Sequence, residues 1–140
     1  MISQVNVFLP NKQGSLSNVA RVLADADINM HTLVIADTAE YGIIRIICDT
    51  PDKAAQVLTD AGLRASATPV IAIRLDNKPG ALAALLELCH DKGLNIEYGY
   101  CFLQNGENAV DVLKIDNPDA EAMLVAGGFN AVTPEEIYTV

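Results

Sequence analysis

Cations are scarce in this sequence, and the few present do not cluster. Nine Lys and Arg stand against 18 Asp and Glu, for a formal net charge of −9. Lys12, Arg21, Arg45, Lys53, Arg64, Arg74, Lys78, Lys92 and Lys114 are spread singly along the chain. A nucleic-acid binder needs a clustered basic surface to replace phosphate counterions, so nucleic acid is excluded as a partner. An anionic membrane surface is disfavoured by the same reasoning, and no apolar stretch approaches the ~18 residues of a membrane span. The opening Met1-Ile2-Ser3-Gln4 lacks a basic segment followed by an apolar run, so no secretory signal is expected. Cys48, Cys89 and Cys101 are odd in number and form no CxxC pair. A reduced, cytoplasmic setting follows.

Catalytic groupings are lacking too. His31 and His90 are the only histidines, and neither is followed by a second ligand at metal spacing. Both are expected as surface or packed residues, with His31, beside Asn29, able to edge a cleft. Cys89 takes a core position on a helical pattern, and Cys48 and Cys101 lie in apolar strands, so inert burial is expected for all three. Glu135-Glu136, and Asp25 with Asp27, read as solvated carboxylates. Neither a phosphate loop nor a GxGxxG fingerprint occurs. No catalytic residue, metal or cofactor is expected, and the chain is not read as an enzyme.

What the sequence does contain is a repeat. Asn11-Lys12-Gln13-Gly14-Ser15-Leu16 returns as Asn77-Lys78-Pro79-Gly80-Ala81-Leu82, 66 positions on. At the same offset Ile28-Asn29-Met30 returns as Leu94-Asn95-Ile96, and Asp25 as Asp91. Pro51-Asp52 returns as Pro118-Asp119, Gly62 as Gly128, and Thr68-Pro69 as Thr133-Pro134. An ordered series across both halves marks a duplication, with domains Met1–Pro69 and Val70–Val140.

Both halves share one grammar. Gln4–Leu9 and Val70–Leu75 alternate apolar and polar residues like half-buried strands. A polar loop ending in Gly follows, then Ser15–Ala26 or Ala81–Lys92. There Leu16, Val19, Ala20 and Leu23, and Leu82, Leu85, Leu86 and Cys89, recur at helical spacing. Asn29–Ala36 and Asn95–Phe102 read as second strands, and Ile43–Asp49 and Ala109–Ile115 as third strands, with Asn105-Gly106 a hairpin signal between the latter pair. Tyr98 and Tyr100 share one strand face, where they serve ordinary packing or line a pocket or subunit contact. Second helices start at Pro51-Asp52 and Pro118-Asp119 and stop near Gly62 and Gly127-Gly128, and a short last strand follows each. The expected fold is α+β: a ferredoxin-like βαββαβ unit repeated twice, with antiparallel sheets and helices on one face.

That topology supports many functions. Asn77-Lys78-Pro79-Gly80-Ala81-Leu82 after a first strand, with Gly93-Leu94-Asn95-Ile96 after the first helix, narrows them. This pattern resembles the ACT domain, the amino-acid-sensing unit of metabolic enzymes, once per half and over essentially the whole chain. The chain also resembles stand-alone proteins built of two ACT units. Two departures stand out. Gln13 replaces the proline that the family favours, and Leu9 and Leu75 stand where some serine-sensing members carry histidine. Serine specificity therefore does not carry over, and the second repeat follows the pattern more fully.

The motif has its own physics. A glycine where strand turns into helix lets a ligand approach the backbone. Free N–H groups and the dipole at the helix start suit a carboxylate, an effect of about 0.3–1 kcal/mol and up to ~2 when partly buried. Asn11 and Asn77 can donate and accept, which suits a zwitterion. Asn29 and Asn95 begin the adjacent strand and are expected to face the same cleft; the resemblance implies effector contacts for asparagines at both places. The expected ligand-binding residues are thus Asn11, Gly14, Ser15, Leu16 and Asn29, and Asn77, Gly80, Ala81, Leu82 and Asn95. Their expected partner is a free amino acid or similar small zwitterion, held at the strand-1/helix-1 loop and a domain interface. A homodimer is expected, because small units with 51% hydrophobic residues leave apolar surface and strand edges to cover. A separate metabolic enzyme is a further possible partner.

Rival readings differ in what they require. An RNA-recognition domain needs stacking aromatics on its first and third strands, which carry Val7, Ile46, Ile73 and Val112 here. A small ferredoxin-like enzyme needs an acid–base set or a cofactor grip. A protein–protein adaptor, or a regulatory subunit of another enzyme without its own ligand, stays open as the alternative.

Overall fold

The computed structural model describes residues 1–37, 41–104 and 106–138. Its elements run β1 (Ile2–Pro10), α1 (Ser15–Asp25), β2 (Met30–Asp37), β3 (Tyr41–Cys48), α2 (Pro51–Asp60), β4 (Arg64–Asp76), α3 (Ala81–Asp91), β5 (Ile96–Gln104), β6 (Asn108–Ile115), α4 (Ala120–Ala126), β7 (Asn130–Ala131) and α5 (Pro134–Tyr138). The chain divides into two compact units. One comprises Ser3–Thr68 with Glu135–Val140, and the other Pro69–Pro134 with Met1–Ile2. Each unit has the βαββαβ order expected from the sequence.

The first unit orders its strands β4-β1-β3-β2 and the second β7-β4-β6-β5, so last, first, third and second strands lie side by side in both. In the first, β1 and β3 run antiparallel with Val5, Val7 and Leu9 opposite Ile46, Ile44 and Gly42. In the second, β4 and β6 repeat the pairing, with Ile71, Ile73 and Leu75 opposite Leu113, Asp111 and Ala109. Alternation puts these residues on the helix side. Val5, Val7, Leu9, Ile44 and Ile46 pack against Val19 and Leu23 of α1 and Ala54 and Leu58 of α2. Ile71, Ile73 and Leu113 pack against Leu85 and Cys89 of α3 and Leu124 of α4. Each such buried Leu, Ile or Val contributes about 1.5–3 kcal/mol relative to exposure.

Several boundaries differ from the sequence reading. β4 runs through Thr68-Pro69 without a break. Pro69 has no N–H for a ladder, and it stands where the strand passes from one unit to the other. Before it, Asn6 Nδ2 of β1 donates to Thr68 Oγ1 at 2.7 Å; after it, Ile71–Asp76 pair with β6. The matching Thr133-Pro134 instead opens α5, with Glu135 and Glu136 in its first turn and Ile137 buried. Proline at the first helical position and acids near the positive helix end account for this turn. The start of α4 lies later than that of α2, because Asn117 Oδ1 accepts the Asp119 N–H at 2.9 Å and holds a local turn that competes with helix. Asn105 of the hairpin signal lies outside the described residues; Gly106 has the expected positive φ of 75°.

Gly14 and Gly80 precede α1 and α3 with φ 87°, ψ −12° and φ 88°, ψ −12°. A Cβ at either place would meet nothing within 4 Å, so any cost of a side chain there is conformational. Gly14→Ala and Gly80→Ala are each expected to lower unfolding free energy by about 1–2 kcal/mol. Gly→Asn at the same positions should cost less, since Asn tolerates positive φ. Urea melts of the four variants check this, and equal losses for Ala and Asn would refute it.

Candidate functional site

The strand-to-helix turn builds the same frame twice. In the first unit the Lys12 N–H donates to Pro10 O at 2.9 Å, Ser15 N–H to Lys12 O at 3.3 Å, and Asn18 N–H to Gly14 O at 3.0 Å. In the second, Lys78 N–H donates to Asp76 O at 2.8 Å, Ala81 N–H to Lys78 O at 3.4 Å, and Ala84 N–H to Gly80 O at 3.1 Å. Neither helix start has a side-chain cap. The second and third N–H groups of each helix, on Leu16 and Ser17 and on Leu82 and Ala83, therefore lack the partners that a helix interior supplies.

Beneath the first turn lies a cleft of about 110 Å³. Asn11, Lys12, Ser15 and Leu16 line it from the loop, and Leu9, Ile35, Gly42 and Ile44 from the sheet. Donors thus sit at the rim and apolar side chains on the floor, a division suited to a small ligand with one charged end. Ile35 is 50% exposed, so the cleft opens along β2. Asn11 and Gly14 are exposed and Ser15 half-buried; Asn77, Gly80 and Ala81 match them.

A family model described as the ACT domain pair matches residues 1–139. The chain belongs to that family. Among solved structures, a protein from Bacteroides thetaiotaomicron is similar at 36% identity and a TM-score of 0.92, over 99% of this chain and 96% of its own. The ligand-free regulatory subunit of aspartate kinase from Thermus thermophilus is similar at 20% identity and a TM-score of 0.66, over 89% of each chain. The corresponding Thermus flavus subunit gives 20% and 0.63, over 89% and 88%. The likeness to these two subunits is one of fold. No protein with a curated description matches.

Within this ACT pair the structure brings Asn11, Ser15 and Leu16 to one cleft, with Gly14 in the turn between them. It does not bring Asn29 there. Gly42 of β3 is opposite Leu9 and Asp37, at the loop end, whereas Cys48 is opposite Met30. Those six residues of strand put Asn29 about 20 Å from the loop of its own unit. Asn29 instead closes the far end, its N–H 3.3 Å from Asp49 Oδ1. Asn95 is placed alike, since Ile96 pairs with Ile115 and Leu75 with Ala109. His31 neighbours Asn29, at a register irregularity of the β2–β3 ladder, and so does not edge the cleft. The reason is direction: both strands of each pair rise toward the loop, so a second strand begins where the first does not end.

The loops differ in charge. Lys78 Nζ lies 3.2 Å from Asp76 Oδ2 in an exposed pair, which contributes little to stability. Pro10 occupies the place of Asp76 in the first repeat, and Lys12 has no ion pair among the described residues. Asn77 is tied to the β5–β6 hairpin, its Nδ2 donating to Gly106 O at 3.2 Å and its N–H to Glu107 O at 3.0 Å.

Sequence reasoning missed Lys12, Ile35, Gly42 and Ile44 as cleft residues, and above all Asp111. Asp111 is 4% exposed and stands opposite Ile73 on β4 and Cys101 on β5. Its Oδ2 is buried without a hydrogen-bond partner among the described residues. Burial pushes its carboxyl up to about 6. The Cys89 thiol on α3 is raised by burial first and by the Asp111 charge second. The Cys48 thiol is pushed up to about 11, chiefly by burial, which suits the inert role expected for it. Cys101 corrects that expectation: it is exposed, because its side of β5 is left open as Ile35's side of β2 is. Tyr98 and Tyr100 are half-buried on the other face.

The sign of the Asp111 effect is set by its elevated folded-state value. Between the unfolded value near 3.8 and the folded value of about 6, the folded chain binds more protons than the unfolded one, so stability falls as pH rises through this window. The loss amounts to about 3 kcal/mol once pH exceeds 6. Its cross-strand neighbours Ile73 and Cys101, and Cys89, whose thiol its charge raises, are none of them cations. Urea melts from pH 4 to 7.5 should show this decline in wild type and its absence in Asp111→Asn; the same slope in both would refute the assignment.

Proposed function

We propose that this ACT pair is a non-catalytic regulatory protein that binds a free amino acid at its strand-to-helix turns. The observation that carries the reading is the duplicated turn itself. Two glycines with matching φ and ψ and three matching backbone hydrogen bonds present uncapped helix N–H groups, and in the first repeat these overlie an apolar-floored cleft. The ligand carboxylate meets the N–H groups of Leu16 and Ser17, or of Leu82 and Ala83, where the helix dipole favours negative charge. Asn11 and Asn77 meet the ammonium through Oδ1. In Asn77 the hairpin carbonyl already occupies the amide nitrogen, which leaves that oxygen as the acceptor.

The regulatory part of the reading draws on membership of the ACT domain pair family. Chains of the same fold are described as regulatory subunits of aspartate kinase. In this reading the protein acts through a separate metabolic enzyme and works as a homodimer. The edge-strand residues Ile35 and Leu103 are 50% and 66% exposed, apolar surface that a second copy would cover. Three free cysteines suit a reducing, cytoplasmic setting. No described helix is long and apolar enough to cross a membrane.

A thermal-shift screen of the twenty amino acids, followed by calorimetry, tests the site. A ligand of about eight heavy atoms reaches affinities on the order of micromolar. Asn11→Ala should weaken binding in the first cleft by about 1–2 kcal/mol, the cost of losing an amide contact to a charged group, with the unliganded melting temperature unchanged. Asn77→Ala should weaken binding at the second turn and also lower the melting temperature, through loss of its bond to Gly106. If no amino acid binds wild type at millimolar concentration, the ligand-free adaptor reading replaces this one.

A further inference from the structure

The loop end of the first sheet is aromatic on the face that its helices leave uncovered. Phe8 pairs with Ile43 and Pro10 with Tyr41; these residues alternate with the core-facing Val7 and Leu9 and so lie on the side away from α1 and α2. Phe8 is 47% and Tyr41 58% exposed. The α2–β4 connection adds Gly62, Leu63 and Arg64, and with Phe8, Pro10 and Tyr41 they line a hollow of about 610 Å³. That volume lies within the roughly 300–1,000 Å³ of small-molecule sites. Pro10 aside, none of these residues lines the cleft beneath the strand-to-helix turn. The second unit does not repeat the arrangement. There Arg74 and Asp76 stand at the places of Phe8 and Pro10, and their strand partners Asn130 and Asn108 at those of Arg64 and Tyr41. The fold itself therefore does not require aromatic residues here.

Among the described residues lining the hollow, Arg64 is the only charged one. Its guanidinium lies over the Phe8 ring, 5.8 Å from the centroid, and has no ion pair or hydrogen bond among the described residues. A guanidinium held by a ring rather than by an acid keeps its forked donors for a carboxylate. An ammonium is served less well. No acid lines the hollow, and the N–H groups of Ala61, Gly62 and Leu63 already meet the carbonyls of Val57, Thr59 and Leu58 at the end of α2. We propose that this hollow binds an aromatic carboxylic acid without an amino group, its carboxylate on Arg64 and its ring against Tyr41, Pro10 and Leu63. The site lies across the sheet from the amino-acid cleft and does not depend on that reading.

3-Phenylpropionate, its neutral amide and L-phenylalanine share a ring and a chain length and differ in their charged groups. In calorimetry on the full chain, 3-phenylpropionate should bind at least about tenfold more tightly than the amide, as expected for a charge-assisted contact. Arg64→Gln should bring acid and amide within about threefold of each other. Tyr41→Ala should weaken both by about fivefold, through loss of ring contact. Both positions are exposed, and circular dichroism checks that the variants fold. An equal concentration of L-phenylalanine should not displace 3-phenylpropionate, and Asn11→Ala should leave its affinity unchanged. No binding of 3-phenylpropionate at millimolar concentration, or equal binding of acid and amide, would overturn the inference. So would displacement by L-phenylalanine, an affinity that survives Arg64→Gln or Tyr41→Ala, or one that falls with Asn11→Ala. The amino-acid screen at the strand-to-helix turns is read separately, so either site can fail while the other stands.

Discussion

The pairing of the first strand with the third decides, in each unit, which side chains lie beneath the helices. Side chains alternate across a strand with a period of two, and a slip of one residue would turn every core side chain to the other face. With Val7 opposite Ile44 and Ile73 opposite Asp111, the helix-facing rows close into two apolar cores. The same register sets where the first strand stops, and so where the chain must turn over its own sheet to begin a helix. Core, turn and the floor of the first cleft are consequences of one alignment, and Asp111 enters the helix-facing row of the second unit with the turn above it unchanged.

The turn shows how little it costs to leave a helix start open. Serine, threonine, aspartate or asparagine at that position would close one of the free N–H groups with its own oxygen. Glycine forgoes that bond at a penalty of only a few tenths of a kcal/mol, and it alone takes φ near 87° without strain. The uncapped end keeps its donors for another acceptor. In the first unit an exposed Lys12 adds positive charge at the same rim; in the second, Asp76 offsets Lys78. The two rims therefore differ in net charge.

Much of this was legible from the residues. The repeat located the turn glycines, and the alternating and helical patterns located most strands and helices to within a residue or two. The misreadings have physical causes. Thr68-Pro69 and Thr133-Pro134 are the same dipeptide, yet one lies inside a long strand and the other opens a helix, because acids follow only the second. Asn29 and Asn95 looked close to the loops, since a strand begun after a helix is near that helix in sequence. Strand direction puts them at the opposite end. Asp111 was readable in principle: the repeat aligns it with Ile44, an apolar position in an alternating strand. The exposure of Cys101 was not, because an apolar strand pattern does not disclose that one side of an edge strand extends beyond its helices.

A carboxylate on the helix side of the sheet also changes the stability of the second unit. An unpaired ionised group inside a small core draws on a total stability of only about 5–15 kcal/mol for an ordinary domain, and here loss of water is what raises its carboxyl. Above pH 6 the unit therefore holds a charge that destabilises it, close to Cys89 of α3. Any group that neutralises this charge in the folded chain, and not in the unfolded one, stabilises the unit by mass action. In the first unit Ile44 leaves no comparable energy to relieve. The duplication thus yields one core that is apolar at this position of its third strand and another that carries an electrostatic cost beneath its own helix.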